Sequence, residues 1–156
     1  MKGYKNINDP QRSFVTAFVE KHTEKNTFFK DIQKVIDWKF INNELKKVYK
    51  KGLQERGAKA YSPLLLFKMQ MISLWYDLSD VQTEVMVNDS LSAMKFCNLS
   101  LEDSIPSHGT LSRFKKELLE HNSSKKLLTE INNQLEQLGL KIKKGKAKVD
   151  AKLTTI

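Results

Sequence analysis

The sequence has a single cysteine, Cys97, among 156 residues. One thiol cannot form an internal disulfide or supply a cysteine-rich zinc site, so a reducing cytoplasm is the expected compartment. Its apolar neighbours predict that Cys97 is a small buried hydrophobe. The three histidines, His22, His108 and His121, include no pair at metal-ligand spacing. We therefore predict no metal site in the helical part of the chain.

Long apolar runs are also missing. No stretch of about 18 uncharged apolar residues is present, which excludes a transmembrane helix. The longest apolar segment, 64–76, is interrupted by Lys68, Gln70 and Ser73. The N-terminus lacks the apolar core of a secretory signal. The hydrophobic fraction of 40% nevertheless suffices for one modest domain, and no internal repeat is found.

Positive charge is abundant and unevenly placed. The net charge is +9. Residues 1–60 contain 14 basic and 7 acidic residues, and residues 111–156 contain 11 basic and 5 acidic residues. The segment between them, 61–110, is acidic, with 2 basic and 6 acidic residues. A basic balance indicates a polyanionic partner, most commonly nucleic acid. Because 24 of the 27 basic residues are lysine, a coding bias toward AT-rich codons is the alternative explanation.

Apolar residues recur at three- and four-residue spacing through most of the chain and predict helices. Asp37 is the expected N-cap of one helix, and Ser62-Pro63 begins a longer one whose Met69, Met71 and Trp75 belong to the core. Ser79 and Gln82 fit a capping box. The helical stripes are Phe14, Val15, Phe18 and Val19; Phe29, Ile32, Val35 and Ile36; Ile41, Leu45, Val48 and Tyr49; Val81, Val85 and Met86; Leu91, Met94 and Phe96; and Leu127, Leu128, Ile131, Leu135 and Leu138.

A helix from His108 to about Glu120, with Ser107 as N-cap, is amphipathic in a particular way. Leu111, Phe114 and Leu118 share one face, and Ser112, Arg113, Lys116 and Glu120 lie opposite. A helix that inserts into a DNA groove needs an apolar side and a basic side. Any surface helix has the same pattern, so the sequence is compatible both with a DNA-binding helix and with an ordinary surface helix.

After Gly139 the periodicity changes from 3.6 to 2. Ala147, Val149 and Ala151 alternate with Lys146, Lys148, Asp150 and Lys152. This alternation predicts a strand, with Asp150 on its polar face and residues 140–143 as a hairpin partner.

Three stretches resemble the N-terminal region of InsH-type bacterial transposases, which belong to the insertion-sequence-five group. They are YSPLLLFKMQMISLWYDLSD, NDSLSAMKFCNLSLEDSIPSHGTLSRFKKEL and GLKIKKGKAKVDAKL. The first two stretches lie in a block of about residues 28–119 that resembles the N-terminal domain of the family, and the third lies beyond it. The motifs of that block include Trp75-Tyr76-Asp77-Leu78-Ser79, Pro106-Ser107-His108-Gly109-Thr110 and Arg113-Phe114. Gly109 replaces a threonine of the family pattern, and Lys115-Lys116 stand where arginine is common.

The resemblance implies that Val149-Asp150-Ala151 opens an RNase H-like catalytic domain. Asp150 then corresponds to the first of three catalytic carboxylates that hold two Mg²⁺ ions. Only five residues follow Ala151, so we expect a truncated transposase that needs no cofactor and is inactive alone. The DNA-contacting residues implied for the helix are His108, Thr110, Ser112, Arg113, Lys115 and Lys116.

From these observations we predict an all-α fold with a helix-turn-helix-like unit. A strand or hairpin of an incomplete catalytic domain should follow it. The expected segments are a helical leader (1–60), a DNA-binding core (61–139) and the start of the catalytic domain (140–156). The expected partner is double-stranded DNA at terminal inverted repeats, in a bacterial cytoplasm at the nucleoid, with no membrane. Alternatives are an active site completed by a second polypeptide, or a helical module that forms a homodimer or pairs with full-length transposase.

Overall fold

A computed structural model describes residues 27–49, 60–143 and 152–155. Within these residues the chain forms seven helices and one pair of strands. The helices are α1 (Thr27–Val35), α2 (Trp38–Val48), α3 (Pro63–Tyr76), α4 (Asp80–Asp89), α5 (Leu91–Phe96), α6 (His108–Glu120) and α7 (Ser123–Gln137), and the strands are β1 (Leu140–Lys143) and β2 (Lys152–Thr155). The described part is therefore mostly helical, as predicted.

The helix starts follow the capping residues in the sequence. The Asp37 side chain accepts a hydrogen bond from the Phe40 amide at the start of α2, and Ser62 does the same for Leu64 at the start of α3. Ser79 and Gln82 form a complete capping box on α4. Each cap satisfies an amide that has no partner inside the helix, which determines where the helix begins.

Three helices end at a non-glycine residue in the left-handed conformation. These residues are Asp77 after α3, Asn98 after α5 and Asn122 after α6, with φ of 55°, 59° and 54°. At Asp77 the Leu78 amide bonds the Ser73 carbonyl and the Asp77 amide bonds the Leu74 carbonyl. This is a Schellman ending. Gly139, with φ of 69°, follows α7.

Helix α3 lies at the centre of the fold. It packs against α2, α4 and α6. Met69, Met71 and Trp75 are buried, which confirms their prediction as core residues. Cys97 is buried as well, and this burial raises the pKa of its thiol to about 12.

The predicted stripe of α4 is wrong for Val81 and Val85, although its third member, Met86, is partly buried against the core. Val81 and Val85 are each 52% exposed, and the buried residues of this helix are Thr83 and Val87. Thr83 tolerates burial because its hydroxyl donates to the Ser79 carbonyl at 2.8 Å. The rotation that buries Thr83 and Val87 also turns the acidic side of α4 toward α6.

Helices from both sides of residue 60 share one hydrophobic core. The Phe28 ring of α1 packs edge-on against Trp75 of α3, with centroids 5.4 Å apart, and the Phe29 ring stacks on Phe96 at 5.1 Å. Tyr49, after α2, packs edge-on against Phe114 of α6 at 5.2 Å. The expected leader therefore contributes to the same core as segment 61–139.

The two strands pair antiparallel, with Leu140 opposite Thr155 and Lys143 opposite Lys152. The β2 strand begins at Lys152, where the predicted alternating segment ends. Asp150 and the rest of that segment lie outside the described residues, as does the stripe from Phe14 to Val19. No helix in the described ranges is long and apolar enough to span a bilayer.

Candidate nucleic-acid interface

Helix α6 separates an apolar face from a charged one, as its sequence predicts. Leu111, Phe114 and Leu118 are at most 1% exposed. Ser112, Arg113, Lys116 and Glu120 are exposed. The helix packs against α3, α4 and α7, so its apolar face is anchored in the core and its polar face is presented to solvent.

Asp80, the first residue of α4, holds two of the expected DNA-contacting side chains. One carboxylate oxygen lies 2.6 Å from the Ser112 hydroxyl, and the other lies 2.5 Å from the Lys115 ammonium. Burial alone would raise the pKa of Asp80, but the hydrogen bonds from Lys115 and Ser112 and the positive charge of Lys115 lower it. The Asp80 carboxylate is consequently anionic at neutral pH.

Glu84 lies one turn further along α4 and holds a third expected residue. Its Oε1 accepts from the His108 amide at 2.6 Å and lies 3.3 Å from His108 Nδ1. The His108 amide belongs to the first turn of α6, where donors lack partners inside the helix. Glu84 thus caps α6 from a neighbouring helix, and Ser107 caps it locally by accepting from Thr110.

Arg113 and Lys116 differ from these three residues because no described carboxylate holds them in an ion pair. The Arg113 guanidinium is exposed and its Nη2 lies 3.4 Å from the Thr110 hydroxyl, which also contacts Ser107. A methyl group built on Gly109 meets Arg113 Nη1 at 3.7 Å, an ordinary contact distance. The structure therefore divides the six expected residues into an edge held by α4, with His108, Ser112 and Lys115, and a free edge with Arg113 and Lys116. The sixth, Thr110, contacts Ser107 and Arg113 within α6 and its cap.

A second group of charges joins α2 to α7. The Glu44 carboxylate bonds Lys47 at 2.6 Å and Lys126 at 3.2 Å. Hydrogen bonds from Lys47 and Lys126 lower the pKa of Glu44. Both lysines are about 70% exposed at the side chain. Surface pairs of this kind contribute little to stability, and part of the lysine charge on α2 is neutralised within the fold.

The sequence did not predict three charged residues that make contacts between helices. They are Asp80 and Glu84, which bind α6, and Lys68, which binds α1 and α5. The first two are an acidic pair at i and i+4 behind a serine cap, and that pattern alone predicts only a solvated helix face. Lys68 lies within the apolar α3 and is buried. Its ammonium donates to Gln33 at 2.8 Å and to the Phe96 carbonyl at 2.9 Å. Its burial became evident only from the packing.

No group of three or more His, Cys, Asp or Glu side chains in the described ranges is arranged to hold a metal ion. Asp150, the residue that the resemblance implies as a metal ligand, lies outside those ranges.

A family model for a transposase domain (DUF772) matches residues 17–117. No solved structure matches the chain. The matched segment contains α1 to α5 and most of α6, so it covers most of the shared core and the Arg113 and Lys116 positions of α6. The chain belongs to the DUF772 transposase-domain family.

Proposed function

We propose that the chain binds duplex DNA as the DNA-recognition region of a transposase. Membership of the transposase-domain family supports a role in transposition, in which a protein must engage DNA ends. The net charge of +9 supports a polyanionic partner. The observation that carries the proposal is the free edge of α6, where Arg113 and Lys116 project from a helix whose opposite face is buried.

The two residues have different expected roles. The Arg113 guanidinium offers the planar donor set that binds a guanine edge or a phosphate with two hydrogen bonds. Lys116 lies about one turn further along the helix and suits a phosphate contact, which positions the helix without reading sequence. The unit from α4 to α6 is the proposed helix-turn-helix-like element. Residues 97–107, between α5 and α6, form a longer connection than the roughly 3–4-residue turn of the simple motif.

The finer assignments rest on the resemblance to InsH-type transposases. They are recognition of terminal inverted repeats and a metal-binding role for Asp150 in a complete RNase H-like domain with Mg²⁺. A lone carboxylate cannot hold two metal ions. A polypeptide of these 156 residues is therefore proposed to bind DNA without cutting it, unless another chain supplies the remaining acids.

A second candidate is a helical interaction module, and the exposed pair Val81 and Val85 on α4 favours it. The two valines are one turn apart and form a small apolar strip, and the other exposed residues of α4 are polar. Replacing both with serine should convert a dimer to a monomer in sedimentation experiments if the strip mediates pairing. A monomeric unsubstituted protein at high concentration would rule out self-association through this strip.

Titration of labelled duplex at several salt concentrations tests DNA binding. The affinity should fall linearly on a log–log plot, with a slope of about −0.9 for each phosphate neutralised. Arg113→Ala and Lys116→Ala should weaken binding, and Lys116→Ala should reduce the slope by about 1. Lys34→Ala on α1 removes the same charge from another exposed position and serves as the control.

Absence of binding at low salt would refute the proposal. Equal small losses for Arg113→Ala, Lys116→Ala and Lys34→Ala would instead show that net charge alone attracts DNA. If Arg113 contacts a base, Arg113→Ala should cost about 1–3 kcal/mol on a cognate end and much less on random duplex.

A further inference from the structure

The α4-held edge of α6 has the donors that a DNA phosphate requires. Asp80 and Glu84 together accept from a hydroxyl, an ammonium, an imidazole and a backbone amide in the first turn of a helix. Hydroxyls, ammonium groups and helix N-terminal amides are the groups that bind phosphate oxygens in protein–DNA complexes. The two carboxylates therefore occupy positions on α6 that suit the anionic oxygens of DNA.

These contacts are partly open to solvent, which makes exchange feasible. The Asp80 and Lys115 side chains are 25% and 27% exposed, and those of Glu84 and His108 are 28% and 55% exposed. An ion pair at this level of exposure is weak because water screens it. A phosphate that approaches the α6 surface competes with Asp80 for Lys115 and Ser112. The Lys115 ammonium also donates to the Ser73 hydroxyl of α3 at 3.3 Å.

We propose that Asp80 is an internal competitor of DNA: it holds Lys115 and Ser112 in place of a backbone phosphate and thereby limits the affinity of the α6 surface. The inference rests on the proposed DNA binding and adds a regulatory element to the same site. While Asp80 holds Lys115 and Ser112, DNA contacts only Arg113 and Lys116. When a phosphate replaces Asp80, Lys115 also contacts the DNA. Glu84 differs from Asp80 because it also caps α6, so its loss would weaken the helix itself.

Asp80→Asn tests the competition directly, because asparagine keeps the size of the side chain and removes its charge. The variant should bind duplex more tightly than the unsubstituted protein, and its salt slope should be steeper by about 0.9, the value for one added phosphate contact. Between about 50 mM and about 200 mM salt its advantage should therefore shrink roughly threefold. Asp89→Asn, at the exposed end of the same helix, makes the same charge change away from Ser112 and Lys115.

A double-mutant cycle with Lys115→Met identifies the route of the effect. In the Lys115→Met background, Asp80→Asn should no longer increase affinity or steepen the slope, because the side chain that it releases is absent. Urea unfolding of each variant verifies that the chains are folded. An equal gain from Asp89→Asn, or a gain that persists without Lys115, would overturn the proposal and reduce the effect to net charge.

The outcome separates this inference from the proposed function. Binding by the unsubstituted protein with unchanged or weaker binding by Asp80→Asn refutes the competitor role and leaves DNA binding intact. Failure of both proteins to bind at low salt refutes both proposals.

Discussion

At the scale of single residues, Lys68 is the largest departure from a simple hydrophobic core. Its ammonium lies 4.8 Å from the Trp38 ring centroid and 4.9 Å from that of Phe96. No described carboxylate forms an ion pair with it. Two acceptors and two ring faces replace the water that burial removes. Lys68 thereby joins α3 to α1, α2 and α5.

The stability of the chain should depend on the titration of Lys68. Burial lowers its pKa from 10.5 to about 8, and nearby Cys97 partly opposes that shift. The unfolded chain then holds more protons than the folded chain between these two values. Stability relative to Lys68→Met should therefore rise by roughly 1 kcal/mol per pH unit across this window. Urea unfolding of both proteins from pH 7 to pH 10 measures the difference, and a difference that is independent of pH would contradict it.

Two glycines should respond in opposite ways to the same substitution. Gly109 lies in the first turn of α6, and an added methyl group meets nothing closer than 3.7 Å. Gly109→Ala should raise the free energy of unfolding by about 0.5–1 kcal/mol, because alanine loses less backbone entropy on folding. Gly139→Ala should lower it by roughly 1 kcal/mol, since Gly139 has φ of +69°. The same sign for both variants in urea unfolding would contradict this explanation.

At the scale of elements, the sequence predicted helix starts well and helix rotation less well. Asp37, Ser62, Ser79 and Ser107 all act as N-caps where predicted, because capping depends on residues within one turn. The rotation of α4 depends on contacts with helices distant in sequence. The positions of Val81 and Val85 therefore did not predict which face of α4 is buried. That face depends on Asp80 and Glu84, whose partners lie 24 to 35 residues away in the sequence.

Removing the first two described helices should prevent independent folding of the rest. Phe28, Phe29, Ile32, Ile41 and Leu45 are all at most 4% exposed and belong to the shared core. A fragment of residues 60–156 would expose the α3 and α5 surfaces that they cover. It should lack a cooperative urea transition and the near-UV circular dichroism of the full chain. A cooperative transition in this fragment would make 1–60 a separable leader.

At the scale of the whole molecule, the basic–acidic–basic order of the sequence becomes a spatial arrangement. The acidic middle segment supplies Asp80 and Glu84, which face basic or polar residues of α6. The sequence predicted α6 and its exposed face from helical spacing alone. It did not predict which of the six expected DNA-contacting residues are already held, because those contacts form only when α4 packs against α6.

An NMR titration of the ¹⁵N-labelled chain with a short duplex at low salt shows directly whether α6 binds DNA. We expect the largest amide shifts to cluster on α6 around Arg113 and Lys116, with smaller shifts at Lys115 and Asp80. Added salt should reverse these shifts. Shifts that leave α6 unchanged and cluster on another element, or no shifts at all, would contradict the assignment of α6 as the DNA-binding surface.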